Sequence, residues 1–242
     1  MLKRWFGRAD AETASADADR ALVGRIREAR LTYLSEAKLA DIMATCRALE
    51  AAGTPGVFLE AGCALGGSTV AIASAKRAER ELRVYDVFGM IPAPTDADPP
   101  EVHERYRVIT SGESKGIGSD TYYGYQPDLY TLVQRNLQAF GRAPEAHRIT
   151  LIKGLLQDTL HLDGPVAFAH IDVDWFDPVS ICLQRIFPRL SVGGVVVLDD
   201  YLAWGGCKEA TDAYLATVAG QYTHDTSSGA MKVVRTGPPT HH

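Results

Sequence analysis

The strongest constraint on the fold is a regular alternation of short apolar segments with longer amphipathic ones, which begins after residue 56. Five apolar segments have the character of buried strands: residues 57–59, 82–87, 149–152, 166–173 and 195–198. Helical patterns occur at residues 67–78, 127–140, 178–190 and 208–218. Residues 222–224 and 230–234 flank a Ser-Ser-Gly turn, which is typical of an antiparallel hairpin. The alternation therefore predicts an α/β fold with a mostly parallel, doubly wound sheet that ends in a hairpin.

The segment before the first strand is helical in pattern. Apolar side chains recur at helix-like spacing, which predicts N-terminal helices over residues 20–52 with a break near residues 32–35. Residues 1–19 are polar and rich in Ala and Asp, so we expect a flexible arm there. A chain of 242 residues suits one large α/β domain, and we assign that domain to residues 20–242.

One long segment interrupts the alternation of strands and helices. Residues 88–126 contain four prolines and a Gly- and Ser-rich run, and no strand or helix longer than two turns is predicted there. Long loops within a compact domain are often functional lids. The aromatic side chains of Tyr122, Tyr123 and Tyr125 favour this interpretation over a disordered linker. We therefore expect a lid-like insertion.

Composition excludes several classes of protein. The chain is 46% hydrophobic and 23% charged, which is ordinary for a globular protein and unlike a disordered one. Its net charge of −5 argues against a nucleic-acid binder. No apolar run is long enough to span a membrane, and no signal peptide is recognised. The four cysteines form no C-x-x-C pair, so we expect a cytoplasmic protein with free thiols. No chemistry is assigned to the terminal His241 and His242.

A glycine-rich loop follows the first predicted strand. It runs from Glu60 through Gly62 and Gly66 to Ser68, and a helix begins at its end. In open α/β sheets, ligands bind at the carboxyl ends of the strands, and glycine lets the backbone approach them closely. The loop lacks the G-x-G-x-x-G spacing of dinucleotide sites and begins with an acid. It would repel a pyrophosphate and favour a cationic ligand such as S-adenosylmethionine, although an ordinary tight turn remains an alternative.

Polar side chains also follow the second and third predicted strands. Asp86 ends the second strand, where a carboxylate can accept both hydroxyls of a ribose. Gln157 and Asp158 follow the third strand, where a polar side chain could contact an adenine edge. Capping of a helix by Asp158 or Thr159 is an equally good explanation of that pair.

The fourth and fifth predicted strands end in aspartates. His170, Asp172 and Asp174 alternate at the end of the fourth strand, and Asp199 and Asp200 end the fifth. Neighbouring strands would bring these carboxylates together, where they would repel each other and their pKa values would rise. A hard divalent cation relieves this repulsion, and oxygen ligands suit Mg²⁺. Helix capping by solvated acids is the alternative.

As a set, these segments resemble one known family. The matching segments, in order, are FLEAGCALGGS, VYDVFG, LIKGLLQDTL, HIDVDWFDP and LSVGGVVVLDDY followed by GCKEA. Residues 30–234 resemble the macrocin O-methyltransferase family, whose members are metal-dependent enzymes that methylate sugar hydroxyls of natural-product glycosides. A more distant similarity links the chain to catechol O-methyltransferase. The resemblance implies the class I methyltransferase fold, which is Rossmann-like, with S-adenosylmethionine as the methyl donor.

The resemblance also implies roles for individual residues. Donor-binding residues would be Glu60, Gly62, Ala64, Ser68, Asp86, Gln157, Asp158 and Asp172. The Mg²⁺ ligands would be Asp172, Asp199 and Asp200. Catechol enzymes place a lysine base where this chain has Trp175, so no lysine base is implied. Our hypothesis makes Asp174 the general base and His170 the second candidate, beside Asp172 in the catalytic group.

The expected acceptor is a small molecule that carries a sugar or glycoside hydroxyl. Tyr122, Tyr123, Trp175 and Tyr201 are the candidate acceptor contacts, since aromatic rings stack on sugars and on flat rings alike. A phenolic or catechol-like acceptor is therefore the alternative. An NAD-dependent oxidoreductase and a catalytically silent donor-binding protein are competing classes, which the loop spacing and the intact acids disfavour. The family likeness further implies a homo-oligomer.

Overall fold

A mixed β-sheet of seven strands forms the centre of the computed structural model, which describes residues 16–237. The strands are β1 (Val57–Ala61), β2 (Leu82–Asp86), β3 (Ile149–Lys153), β4 (Val166–Ile171), β5 (Leu190–Leu198), β6 (Tyr222–Asp225) and β7 (Met231–Arg235). Their order across the sheet is β3-β2-β1-β4-β5-β7-β6. Strands β1 to β5 are parallel, whereas β7 is antiparallel to β5 and to β6. The predicted α/β class and the C-terminal hairpin are confirmed.

Helices connect the strands and cover the sheet. They are α1 (residues 16–28), α2 (Glu36–Ala52), α3 (Gly67–Ala75), α4 (Pro100–Thr110), α5 (Leu129–Ala139), α6 (Leu156–Thr159), α7 (Phe176–Ile186) and α8 (Gly205–Thr217). Helix α2 begins at the Ser35 cap, whose hydroxyl accepts from the amide of Lys38, and ends at Gly53 with a φ of 67°. None of these helices is long and apolar enough to cross a membrane.

The order of the strands creates the site. The chain runs from β1 outward through β2 to β3, then returns to the other side of β1 with β4 and β5. A crevice opens where the direction reverses, at the carboxyl ends of β1 and β4. Both strands are almost wholly buried, and Phe58 packs on Phe168 across them with ring centroids 5.4 Å apart. The buried strands therefore present a rigid edge to that crevice.

Some predicted boundaries differ from the structure. The break between the N-terminal helices lies at residues 29–35, close to the prediction. Strand β5 begins at Leu190, earlier than predicted, because the chain enters the sheet before its Gly-Gly pair. Most of the predicted flexible arm, residues 1–15, and His241 and His242 lie outside the described residues. Residues 16–19 belong to α1.

The expectation that residues 88–126 contain no helix longer than two turns is wrong. Helix α4 has 11 residues and begins with a proline at its first turn, a favoured position. Only Val102 and Ile109 of this helix are buried, so its apolar pattern is too sparse to detect. These two residues form a small core with Ile91, Tyr122 and Trp175.

Two polar contacts attach the insertion to the sheet domain. The Asp98 carboxylate is buried, and it accepts the amides of Phe176 at 2.8 Å and Thr95 at 3.0 Å. The indole of Trp175 donates to the carbonyl of Pro92 at 3.1 Å. Because Trp175 and Phe176 follow the end of β4 by only four and five residues, the insertion is fixed beside the carboxyl end of that strand.

Candidate active site

A cavity of about 1070 Å³ lies at the carboxyl ends of the parallel strands. It is lined by the loops after β1 to β5, by the segment between α1 and α2, and by the insertion. Cavities of this size hold a drug-sized ligand with room to spare. The space is sufficient for a nucleoside donor together with an acceptor.

The glycine-rich loop forms one wall of this cavity. The Gly62 amide donates to the carbonyl of Tyr85 at 2.8 Å, and Gly62 adopts a φ of 83°. The following loop contains Ala64, also with positive φ, and Ser68, which is buried in the first turn of α3. Gly62, Ala64 and Ser68 all line the cavity, as expected. The Gly67 amide donates to Leu31, so the segment between α1 and α2 lies against the same loop.

Asp86 is fixed at the end of β2 by two backbone amides. Its Oδ2 accepts from Cys63 at 2.8 Å and its Oδ1 accepts from Phe88 at 2.6 Å. Burial raises the pKa of Asp86, while these two hydrogen bonds oppose the rise. Each carboxylate oxygen keeps a further acceptor site, so Asp86 can accept hydroxyl groups of a ligand.

The loop after β3 contributes one of its two predicted polar residues. Gln157 lines the cavity, whereas the exposed Asp158 does not. The cap of α6 is Leu155, which offers no side-chain hydrogen bond, so the alternative of capping by Asp158 or Thr159 is wrong.

Three carboxylates meet at the ends of β4 and β5. Asp172, Asp199 and Asp200 each offer an oxygen atom, and these atoms lie within 4.8 Å of one another. Burial and repulsion from Asp200 and Asp199 raise the pKa of Asp172 well above its ordinary range. Burial, followed by repulsion from Asp199, raises the pKa of Asp200 to about 6. Such a group is electrostatically unfavourable without a cation.

Two oxygens of this cluster have no partner among the described residues. They are Oδ1 of Asp199 and Oδ2 of Asp200, and both side chains are buried. Buried polar atoms in proteins are nearly always satisfied. An all-oxygen set with unsatisfied buried atoms fits a hard divalent cation such as Mg²⁺.

Asp199 also contacts a lysine that the sequence reasoning missed. Lys38 Nζ, from α2, lies 2.8 Å from Asp199 Oδ2 and 3.0 Å from the Asp199 carbonyl. Burial alone would raise the pKa of Asp199, but the contacts with His170 and Lys38 hold it below its ordinary value. His170 and Lys38 therefore keep Asp199 ionised, and Lys38 fixes one of its two oxygens.

Glu60 and His170 lie behind the cavity rather than in its wall. Both side chains are fully buried, and His170 Nδ1 lies 3.1 Å from Glu60 Oε1. Thr69 donates to the other oxygen of Glu60. His170 Nε2 is 4.0 Å from Asp199 Oδ1, too far for a hydrogen bond but close enough for attraction. Burial lowers the pKa of His170, but Asp199 and Glu60 outweigh it and raise this pKa to about 9.

This placement differs from the expectation that Glu60 and His170 contact ligands. Neither residue lines the cavity. Together with Asp199 and Lys38 they form a row of alternating charges, with a protonated His170 between two carboxylates. The row holds Asp199 in place from beneath the cluster.

Asp174 lies in the turn after β4 and lines the cavity. Its φ is 57°, a conformation that aspartate and asparagine tolerate better than most residues. Burial, then repulsion from Asp200 and Asp199, raises the pKa of Asp174, while Arg105 and Trp204 lower it. Asp174 can accept a proton from a group bound in the cavity.

Aromatic side chains line the part of the cavity next to the insertion. The rings of Tyr122 and Tyr123 are 4.5 Å apart, and those of Trp175 and Trp204 are 5.8 Å apart. Three of the four predicted acceptor contacts, Tyr122, Tyr123 and Trp175, are therefore in the wall. Tyr201 is not, and its hydroxyl instead bonds Asp212 at 2.8 Å.

Comparison with known proteins gives the family. The model of the family described as Macrocin-O-methyltransferase matches residues 6–219. The chain belongs to the macrocin O-methyltransferase family. This membership confirms the resemblance that the sequence motifs indicated.

Two curated relatives illustrate this family. The chain is 27% identical over 199 residues to 8-demethyl-8-(2,3-dimethoxy-alpha-L-rhamnosyl)-tetracenomycin-C 4'-O-methyltransferase of Streptomyces olivaceus, a match that covers 80% of the chain. It is 27% identical over 169 residues to mycinamicin III 3''-O-methyltransferase of Micromonospora griseorubida, which covers 67% of the chain. The matches span 66% and 61% of these relatives, less than two thirds of their length.

Solved structures confirm the class I methyltransferase fold for this family member. The structure of the O-methyltransferase NovP has a TM-score of 0.72 at 22% identity, and the match covers 93% of this chain and 99% of NovP. The apo structure of TDP-rhamnose 3'-O-methyltransferase from calicheamicin biosynthesis has a TM-score of 0.54 at 18% identity, with coverage of 86% and 82%. At these identities the comparison establishes the fold.

We expect Gly62→Ala to disrupt the loop of this macrocin O-methyltransferase family member. A Cβ at Gly62 would lie 1.9 Å from the carbonyl oxygen of Asp172, so the loop or the turn at Asp172 must move. Overpacking of this kind costs about 1–3 kcal/mol. The measurements are thermal unfolding and calorimetric titration with S-adenosylhomocysteine.

Gly112→Ala is the matched control for this substitution. Gly112 has nearly the same φ, 82°, but a Cβ there meets nothing within 4 Å. Both variants carry the backbone penalty, and only Gly62→Ala adds the clash. Equal unfolding temperatures for the two variants would contradict the close packing of the loop on Asp172.

Proposed function

We propose that this protein transfers a methyl group from S-adenosylmethionine to a hydroxyl of a sugar or glycosylated natural product, with Mg²⁺ bound at the acceptor. The observation that carries the proposal is the shared cavity of the glycine-rich loop, Asp86 and the three-carboxylate cluster. The name of the Streptomyces olivaceus relative, which describes O-methylation of a rhamnosyl-tetracenomycin, supports the acceptor class.

The donor would lie along the loop after β1. Gly62, Ala64 and Ser68 would allow close approach of its methionine part, and Asp86 would accept the ribose hydroxyls, since all four residues line the cavity. Gln157 lies at the adenine side. Glu60 acts indirectly in this proposal, because its carboxylate is held by Thr69 and His170.

Asp172, Asp199 and Asp200 would hold Mg²⁺, and their oxygen atoms and unsatisfied charge fit that ion. Bound there, the cation would lower the pKa of the acceptor hydroxyl and orient it. Lys38 and His170 keep Asp199 ionised and fixed, so the ligand set is preorganised.

Asp174 is the proposed general base. It lines the cavity beside the cluster and can take the hydroxyl proton as the oxygen attacks the methyl group. His170, the second candidate in the sequence, is enclosed between Glu60 and Asp199 and has no access to the cavity. The aromatic wall positions the acceptor and excludes water.

The phenolic alternative rests on the same aromatic wall. Trp175, Trp204 and the tyrosines can stack on a flat ring as well as on a sugar. The name of the Streptomyces olivaceus relative favours the sugar. An NAD-dependent oxidoreductase is disfavoured by the glycine spacing and by the acid cluster.

The test combines binding and product formation. We expect calorimetry to show binding of S-adenosylhomocysteine and none of NAD. Incubation with S-adenosylmethionine, MgCl₂ and each of methyl α-L-rhamnoside, TDP-rhamnose and catechol, followed by mass spectrometry, should give a methylated sugar. A product from catechol alone would favour the phenolic alternative. Binding of NAD without S-adenosylhomocysteine would contradict the proposal.

A cytoplasmic location and a homo-oligomeric state complete the proposal. All four cysteines are free and buried, which suits a reducing compartment. Light scattering on the purified protein measures the oligomeric state.

A further inference from the structure

Arg105 is the only cationic side chain that lines the cavity in the described part of the chain. It lies in α4 of the insertion. The acidic residues in the same wall are Asp86, Asp172, Asp174, Asp177, Asp199 and Asp200. The insertion thus contributes one positive charge to a cavity that is otherwise negative.

The guanidinium of Arg105 is held in one orientation. Its Nη2 donates to Ser114 Oγ at 2.9 Å, and it lies over the ring of Tyr122, 5.8 Å from the centroid. Ser114 is itself buried, and its amide donates to the hydroxyl of Tyr125 at 3.1 Å. That hydroxyl donates to the carbonyl of Ile109 at 2.6 Å. The side chain is therefore preorganised by other parts of the insertion.

Arg105 nevertheless forms no salt bridge among the described residues, and its charge acts on Asp174 in the same wall only at longer range. Within residues 16–237, no carboxylate lies within salt-bridge distance, and Nε and Nη1 have no acceptor. Two other partly buried arginines do form salt bridges with carboxylates. Arg80 Nε lies 2.7 Å from Glu50, and Arg83 Nε lies 2.7 Å from Glu81. A fixed guanidinium with free N–H groups in a cavity wall is arranged to receive an oxyanion.

We propose that Arg105 binds an anionic group, a phosphate or a carboxylate, on the acceptor. This inference rests on the proposed methyl transfer, and it narrows the acceptor to an acidic sugar or a sugar phosphate ester. The donor's residues lie on the sheet edge, whereas Arg105, Ser114 and Tyr122 all belong to the insertion. The planar fork of arginine pairs with two oxygens of either anion.

Arg105→Met removes the charge and keeps the length of the side chain. Arg105→Lys retains the charge without the fork. Arg107→Met is the matched control, because Arg107 lies in the same helix with its side chain 74% exposed and paired to Glu104. Melting temperatures establish that all three variants fold.

The measurement is calorimetric binding to the protein loaded with S-adenosylhomocysteine, with EDTA present so that no phosphate binds through a metal. The probes are TDP for phosphate, methyl β-D-glucuronide for carboxylate and methyl α-L-rhamnoside as the neutral reference. We expect wild type to bind one anion roughly tenfold to a hundredfold more tightly than the neutral sugar. Arg105→Met should lose this preference, Arg105→Lys should keep part of it, and Arg107→Met should keep all of it.

Any result that differs from these expectations overturns the inference. If wild type binds the anions and the neutral sugar with equal affinity, the inference is overturned before any variant is measured. A loss of S-adenosylhomocysteine affinity in Arg105→Met, equal to its loss of anion affinity, assigns Arg105 to the donor's carboxylate instead. Failure of wild type to bind S-adenosylhomocysteine at all would contradict the proposed function, which is a separate outcome.

Discussion

Asp172→Asn is expected to abolish Mg²⁺ binding and to lower kcat/KM for methyl transfer by about 10³-fold, since a Lewis-acid cation contributes several kcal/mol of stabilisation. Asp172 is the member of the cluster supplied by β4, and the other two come from the end of β5. An amide in its place removes a charge and leaves two acids to hold the ion. Chelation of wild type with EDTA should reproduce this loss, and added MgCl₂ should restore activity to wild type alone.

Although Asp172→Asn lowers activity, we expect it to preserve or raise the thermal stability of the protein without metal. Burial, then repulsion from Asp200 and Asp199, raises the pKa of Asp172 above its value in the unfolded chain, so its ionised form is disfavoured in the fold. When folding raises the pKa of a carboxyl group, the folded protein loses stability as the pH rises through that raised pKa. At neutral pH in EDTA, Asp172→Asn should therefore melt at or above the temperature of wild type.

Two measurements distinguish the loss of a metal ligand from simple misfolding of the variant. Calorimetry with MgCl₂ should show binding to wild type and none to Asp172→Asn, and MgCl₂ should raise the melting temperature of wild type alone. Asp163→Asn is the control, because its side chain is 94% exposed. If Asp172→Asn binds MgCl₂ with wild-type affinity, the three carboxylates are not a metal site.

The structure brings to one edge of the sheet the aspartates that the sequence analysis expected at the ends of strands. Asp86, Asp172, Asp199 and Asp200 directly follow or end apolar segments, and parallel strands bring their carboxyl ends to one edge. The register of the sheet need not be known for this inference. The same reasoning located the glycine-rich loop.

Glu60 and His170 show the limit of that reasoning. Each is the second-last residue of its strand, and the register pairs Glu60 with His170. They therefore lie one step below the edge, where neighbouring backbone and helix α3 cover them. A pattern of alternating residues indicates which face of the sheet a side chain lies on. It does not indicate how far below the edge of the sheet the side chain lies, so buried positioning residues and cavity-lining ligands look alike in the sequence.

Lys38 and Arg105 could not be found from local patterns. Lys38 is 161 positions from Asp199, and the contact depends on how α2 packs across the sheet. Arg105 belongs to a helix that buries only two apolar side chains, so neither the helix nor its orientation was predicted. Both residues depend on packing between distant elements, which a single sequence does not determine.

Asp174→Asn is expected to lower kcat by about 10²- to 10⁴-fold, the usual contribution of a general base, while binding of S-adenosylhomocysteine and MgCl₂ stays within a few-fold of wild type. Asparagine suits this test because Asp174 has a φ of 57°, which asparagine tolerates, so the turn keeps its shape. The amide keeps the size of the side chain but cannot take a proton at neutral pH.

The pH dependence of kcat distinguishes a base from a structural residue. In wild type, kcat should rise with pH as the base loses its proton, and Asp174→Asn should lose that acidic limb. A residue that only shapes the turn would lower kcat equally at every pH. Retention of kcat within threefold and of the acidic limb in Asp174→Asn would mean that another group takes the proton. Because His170 is enclosed between Glu60 and Asp199, that group would be another acid of the cavity wall, such as Asp177, or would come from the acceptor or from solvent.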